Sequence, residues 1–155
     1  MKVIVAIKQV PARDSSIRIA AGARWIATSD LSFEINEPDA YALETALKLK
    51  DKHGGEVVVV CAARSGAMPT IREALAKGAD RATLVTCERI ETLDTLAVAR
   101  LLGLAIGDEK PDVILTGLQS DDLGLGQMGV VLSEILGVCT RPSSWISKCT
   151  PGAFA

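Results

Sequence analysis

Four short runs of apolar, largely β-branched residues punctuate the chain at positions 3–7, 57–61, 82–85 and 113–115, and none of them alternates apolar with polar side chains. A strand with one wet face has to alternate, so unbroken runs of this length predict strands covered on both faces, as in a parallel sheet. The segments between them carry helical periodicity. Asn36 is placed to cap a helix with Pro38 in its first turn, with Tyr41, Ala42, Ala46, Leu47 and Leu49 as its apolar face, and with His53-Gly54-Gly55 at its end. A second helix is predicted from about Pro69 to a Gly78 cap. A third covers about 93–106, capped by Thr92 and stopped at Gly107, and a fourth starts between Gly124 and Gln127. Strands alternating with helices give a doubly wound α/β fold, a parallel sheet with helices on both faces. Residues 9–33 interrupt the alternation. They are too long for a plain strand-to-helix loop, and Ser16-Ile17-Arg18-Ile19 with the Trp25-Ile26 pair predicts a small hairpin or excursion.

Bulk properties exclude more than they define. At 155 residues and 48% hydrophobic content the chain is long enough for one domain with a sizeable core. Lys plus Arg number 17 against 19 Asp plus Glu, giving a net charge of -2 without a run of either sign, which argues against a nucleic-acid partner. No apolar run approaches the ~20 residues of a membrane span, and Met1-Lys2 passes straight into the first apolar run with no signal-peptide core. A mature cytoplasmic protein without direct membrane insertion is expected. Cys61, Cys87, Cys139 and Cys149 show no C-x-x-C spacing and the one histidine is His53. That pattern gives little support to a zinc site or a disulfide framework, so incidental thiols in a reducing compartment are expected.

The informative stretch is 112–129, DVILTGLQSDDLGLGQMG, where an apolar strand runs into a loop of Gly, Ser and Asp that opens a helix. Such a junction leaves backbone N–H groups pointing into a crevice, which suits a phosphate. In an open parallel sheet the ligand crevice lies beyond the carboxyl ends of the strands, where the winding reverses. If the predicted strands are ordered 3-2-1-4, the reversal brings the backbone after the first strand, Ala6 to Gln9, beside the 117–127 loop. Gly117 would let a ligand approach the main chain, Gly124, Gly126 and Gly129 would permit unusual torsions and close packing, and Gln127 and Met128 would donate N–H groups. Asp121 and Asp122 need a separate account, because carboxylates beside a phosphate repel it. They could face elsewhere in a solvated capping turn, accept from a ribose hydroxyl or an exocyclic amine, or hold a magnesium ion. Asn36 could be a helix cap alone, and 36–39 would rim the same crevice.

Other chemistries find little support. G-x-G-x-x-G does not follow the first strand and the Walker A lysine is missing, which disfavours a Rossmann NAD site and a P-loop. His53 falls at a helix end beside two glycines, a place for capping or exposure rather than for a triad base, so no catalytic residues and no metal centre are assigned.

The chain resembles the β subunit of electron transfer flavoprotein. The resemblance runs from Met1 to about Val138 and is carried by KVIVAIKQVP, INEPDAYALETALKLK, TIREALAKGADRA and VILTGLQSDDLGLGQMG in that order. It implies an adenine-nucleotide-binding α/β fold like that of universal stress proteins, with one structural AMP that is not redox-active. It also implies an α subunit carrying most contacts to FAD, and a heterodimer relaying electrons from acyl-CoA or other dehydrogenases to a membrane quinone oxidoreductase. Location would be cytoplasmic, or the mitochondrial matrix in a eukaryote, and the role would be that of a carrier rather than an enzyme. Carried over by motif, the AMP pocket would be lined by Ala6, by Asn36, Glu37, Pro38 and Asp39, by Ala62, and by Gly117, Gln119, Ser120, Asp121, Asp122, Gly124 and Gly126, with Gln127 and Met128 opening the helix. Asn36-Glu37-Pro38 and Ala62 depart from many relatives, and main-chain contacts should survive this better than side-chain contacts.

After Val138 the pattern changes to CTRPSSWISKCTPGAFA. Residues 1–138 are therefore expected to form the nucleotide-binding domain of a fold incomplete at its C-terminal end, and 139–155 an atypical, poorly ordered tail. Two other readings stay open: a stand-alone ATP- or AMP-binding stress or signalling domain, and a nonfunctional truncated fragment with an exposed sheet edge.

Overall fold

A computed structural model describes residues 1–22, 26–141 and 145–147. Along the chain lie β1 (Lys2–Ile7), β2 (Gln9–Pro11), β3 (Phe33–Ile35), α1 (Glu37–His53), β4 (Glu56–Ala63), α2 (Met68–Ala76), β5 (Arg81–Thr86), α3 (Thr95–Glu109), β6 (Val113–Thr116), α4 (Met128–Leu136), β7 (Cys139–Arg141) and β8 (Trp145–Ser147). The main sheet has the order β5-β4-β1-β6-β8-β7. Its first four strands are parallel, with Ile4 opposite both Val58 and Ile114, and β8 and β7 add antiparallel beyond β6. The four apolar runs thus occupy the order 3-2-1-4, and the winding reverses between β1 and β6.

The two-residue period of a strand explains why these runs do not alternate. Val3, Val5, Ile7, Val57, Val59 and Cys61 bury one face against Leu43 and Ala46 of α1 and Ile71 and Ala74 of α2. Ile4, Ala6, Val58 and Val60 bury the other against Leu102 and Ile106 of α3 and Leu132 of α4. Both faces are dry, so both parities must be apolar.

The excursion is a small antiparallel ribbon, β2 with β3, extended by an Ile19–Ile26 bridge; Trp25 lies outside the described residues. Two helix boundaries differ from expectation. Thr92 does not cap α3: its hydroxyl donates to the Arg89 carbonyl at 2.8 Å within a 3-10 turn, Ile90–Thr92, while Asp94 accepts the Ala97 N–H at 2.8 Å as the N-cap. Nor does Gly107 stop the helix, since glycine weakens a helix without breaking it; α3 runs on to Glu109 and closes at a left-handed Lys110. Asp94→Ala is expected to lower stability by about 1 kcal/mol, read as a shift of the urea midpoint at unchanged slope.

Cys139–Arg141 and Trp145–Ser147, within the tail expected to be poorly ordered, are strands that extend the sheet past β6; the remainder of 142–155 lies outside the described residues. Cys61 and Cys87 are free thiols and Cys139 is disulfide-bonded, so incidental thiols do not describe Cys139. No described helix is long and apolar enough to cross a membrane.

Candidate functional site

The crevice between the carboxyl ends of β1 and β6 is built around one buried carboxylate. Asp39, in the first turn of α1 and 6% exposed, accepts the Lys8 N–H just past β1 through Oδ2 and the Gly117 N–H just past β6 through Oδ1, each at 2.8 Å. It therefore ties both strand ends to the helix N-terminus, where a negative charge is favoured. Burial pushes its pKa up to about 6, against the opposing pull of the Lys8, Asn36 and Gly117 hydrogen bonds and the Lys8 charge. Burial likewise raises the neighbouring Cys61 thiol to about 12, with the Gln9 backbone lowering it and Asp39 raising it further. A thiol held protonated in this way has little nucleophilic character.

Gly117 lies where the start of α1 meets the end of β6. A Cβ there would stand 2.2 Å from Asp39 Oδ1 and 2.9 Å from both the Asp39 nitrogen and the Pro38 carbonyl carbon. The missing side chain admits the α1 N-terminus against β6. By contrast, Gly124 and Gly126 hold the positive φ angles, +64° and +63°, that the loop glycines were expected to permit.

Asn36 precedes α1 but makes no side-chain cap. Its amide crosses to the loop instead, Nδ2 donating to the Gln119 carbonyl at 3.0 Å and Oδ1 accepting the Asp121 N–H at 2.9 Å. The cap does not form, and the amide ties the start of α1 to the loop. The loop is further knotted by Gly124 N–H to the Ser120 carbonyl at 2.8 Å and by Leu123 N–H to Asp122 Oδ1 at 2.8 Å. These bonds consume the amides of Gly117, Asp121, Leu123 and Gly124. From Leu125 to Met128 the N–H groups have no acceptor among the described residues, and α4 has neither an acidic first turn nor a side-chain cap. Here the backbone offers donors to an anion.

Two cations that sequence patterning did not single out answer the question of the acidic pair. Lys8 Nζ lies 2.5 Å from Asp122 Oδ1 and 3.3 Å from Ser120 Oγ. Arg13, just past β2 near the start of the excursion, pairs with Glu37 and stands 3.6 Å from Asp121 Oδ2. Burial pushes the Asp122 carboxyl up, but the Lys8 ammonium, Ser120 and the Leu123 amide outweigh it, so its pKa falls below the usual carboxylate value. Asp121 and Asp122 are thus charge-compensated by this chain itself. The one signal for Lys8 was its place directly after a strand that ends at the winding reversal.

The remaining expected residues fall on two sides. Ala6 and Ala62 share the α3/α4 face of the sheet with Met128, all three packed in one apolar cluster at the strand ends. Gly129 sits against β6, where a Cβ would come 3.0 Å from Thr116 Oγ1. Glu37 turns outward to Arg13 and Tyr41, and Pro38 backs onto Gly117. Gln127 is exposed beside the free amides. A cavity of about 240 Å³ lined by Ile106, Lys110, Pro111, Ile114 and Leu136 lies at the opposite, amino end of β6 and is not part of this crevice.

With this geometry in place, comparison with known proteins is informative. Residues 24–140 match the model of the electron transfer flavoprotein domain. The chain is 38% identical to protein FixA of Azorhizobium caulinodans over 89% of its own length and 50% of that protein's. It is 40% identical to electron transfer flavoprotein subunit beta of Syntrophomonas wolfei, covering 89% and 54%, and 33% identical to the same subunit of Methylophilus methylotrophus, covering 88% and 52%. The chain belongs to the electron transfer flavoprotein domain family. It spans about half the length of the curated relatives it matches.

Proposed function

We propose that residues 1–138 form the nucleotide-binding domain of an electron-carrier subunit, with an AMP seated as an internal brace between β1, the 117–127 loop and α4. What supports this is the division of labour among the loop amides. Those that shape the loop are satisfied by Asp39, Asn36, Ser120 and Asp122, while those from Leu125 to Met128 have no acceptor among the described residues and point out of a helix start. Ala6 and Ala62 offer small apolar surface for an adenine ring, and Asp121 or Asp122 an acceptor for ribose.

In this reading the chain carries no catalytic triad and works as a carrier. In the cytoplasm, or in the mitochondrial matrix of a eukaryote, it pairs with an α subunit that holds most of the FAD contacts, and the pair relays electrons from acyl-CoA or other dehydrogenases to a membrane quinone oxidoreductase. Relatives named electron transfer flavoprotein subunit beta support the subunit assignment.

A ligand that binds only the folded state stabilises it by RT ln(1 + [L]/Kd), about 2.7 kcal/mol at 100-fold excess over Kd. Saturating AMP is expected to raise the melting temperature, with adenosine and ATP less effective and no ATP turnover. Tight ATP binding or hydrolysis by a homodimer would favour the stress or signalling reading instead. Native mass spectrometry would report bound AMP, flavin and α subunit together.

A further inference from the structure

We propose that Lys8 is the clasp of the 117–127 loop, its ammonium drawing Asp122 and Ser120 onto the mouth of β1 so that the loop's free amides are in place before any phosphate arrives. Only the ligand arm of this inference rests on the nucleotide reading of the crevice. The base of the lysine is fixed on both sides: its N–H goes to Asp39 Oδ2 at 2.8 Å, and its carbonyl accepts the Asn36 N–H at 2.9 Å. From that anchored start the side chain bridges 114 positions in sequence to reach Asp122.

The two atoms it holds are the two that knot the turn. Asp122 Oδ1 also accepts the Leu123 N–H at 2.8 Å, and Ser120 Oγ lies 3.4 Å from the same nitrogen. One ammonium thus acts on two of the side chains that set the path of 120–124, while Asn36 holds the Gln119 carbonyl and the Asp121 N–H beside them. Immediately downstream are Leu125 to Met128, whose amides have no acceptor among the described residues. Leu118, Leu123 and Leu125 are 64%, 62% and 55% exposed, so apolar packing of the loop does not replace the clasp. Arg13 reaches Asp121 only at 3.6 Å while also serving Glu37, which makes it the weaker tie.

This role differs from that of a phosphate ligand. A lysine that contacts phosphate has to leave Asp122 when ligand binds, and Asp122 is then a competitor whose neutralisation improves binding. A clasp needs Asp122, and neutralising either partner damages the loop equally.

Hydrogen exchange of the unliganded protein and AMP titration of the same samples separate the two. Lys8→Met is expected to speed exchange of the hydrogen-bonded loop amides, Asp121, Leu123 and Gly124, about 10-fold while leaving those of β1 and β4 unchanged. Asp122→Asn should do the same, the double variant should add nothing, and Lys8→Arg should keep most of the protection. Both single variants should weaken AMP binding by similar factors, about 10-fold. Unchanged loop exchange in Lys8→Met overturns the clasp, and so does AMP binding that tightens in Asp122→Asn. If wild type binds no AMP yet the loop loosens as described, the clasp stands and the nucleotide reading fails.

Discussion

Asp39→Ala is expected to destabilise the fold by roughly 2–6 kcal/mol, because it strands two N–H groups, Lys8 and Gly117, at the buried junction of β1 and β6. Each unsatisfied buried donor costs about 1–3 kcal/mol. Urea unfolding measures it, and a loss below 1 kcal/mol would mean that water replaces the carboxylate at little cost. Asp39→Asn is a finer probe. It keeps one acceptor and the shape but removes the charge. In the wild type the folded-state pKa is raised to about 6 from 3.8 by burial, so the fold prefers the protonated form. Stability from this group is fully present below the unfolded value and is lost as pH rises through 6. Lowering the pH from 7 to 5 should therefore shift the balance toward wild type over Asp39→Asn by about 1 kcal/mol. A difference that stays flat, or that moves toward Asn, would show the carboxylate to be ionised throughout that range. Burial raises the neighbouring Cys61 thiol to about 12, so it stays protonated over this window and leaves the comparison clean.

How much of this was legible in the chain follows from where each constraint comes from. β1, β4, β5 and β6 could be read because burial on both faces writes itself into every position of a short run, and Val57 to Cys61 has no polar residue to spare. The order of those strands was a condition, 3-2-1-4, which the sheet meets, and the winding reversal falls where that order puts it. Helix ends were less accessible. Thr92 and Asp94 are both good capping types two positions apart, and the choice was made by a 3-10 turn that took the Thr92 hydroxyl for itself. Gly107 looked like a stop because sequence cannot tell a glycine in a helix from one after it. At the site, residue types in the loop were informative and their jobs were not. Asn36 caps helices in general, but here its amide bonds to the loop 83 and 85 positions away. Lys8 and Arg13 left no periodic trace, since an ion pair between distant segments imposes no pattern on either. The strands Cys139–Arg141 and Trp145–Ser147 were hidden for a related reason: three residues each, set among Pro, Ser and Thr, show no apolar rhythm.

Gly117→Ala should cost about 3 kcal/mol, at the upper end of what an added methyl group does in a packed interior. The atoms in its way are the Asp39 carboxylate at 2.2 Å and, at 2.9 Å, the Asp39 nitrogen and the Pro38 carbonyl carbon. A flexible side chain can rotate aside, but two of these three are backbone at the start of α1, anchored by Asp39 N–H to the Asn36 carbonyl at 3.0 Å. The methyl group has to push the helix off β6 or turn the Asp39 carboxylate out of its hydrogen bonds, and either movement widens the crevice. The two halves of that cost can be separated. In an Asp39→Ala background the nearest clash is gone and the bonds it would break are already lost, so adding Gly117→Ala should cost well under its single-variant value. Residues in direct contact show coupling of about 0.5–3 kcal/mol in such a cycle. Strict additivity of the two substitutions would mean that the clash with the carboxylate is relieved without disturbing its hydrogen bonds, leaving the backbone of α1 as the whole obstacle. A Gly117→Ala variant as stable as wild type would remove the close approach altogether. The proposed nucleotide would then be the reason for the glycine, and the AMP-induced shift in melting temperature should fall in that variant while its unliganded stability does not.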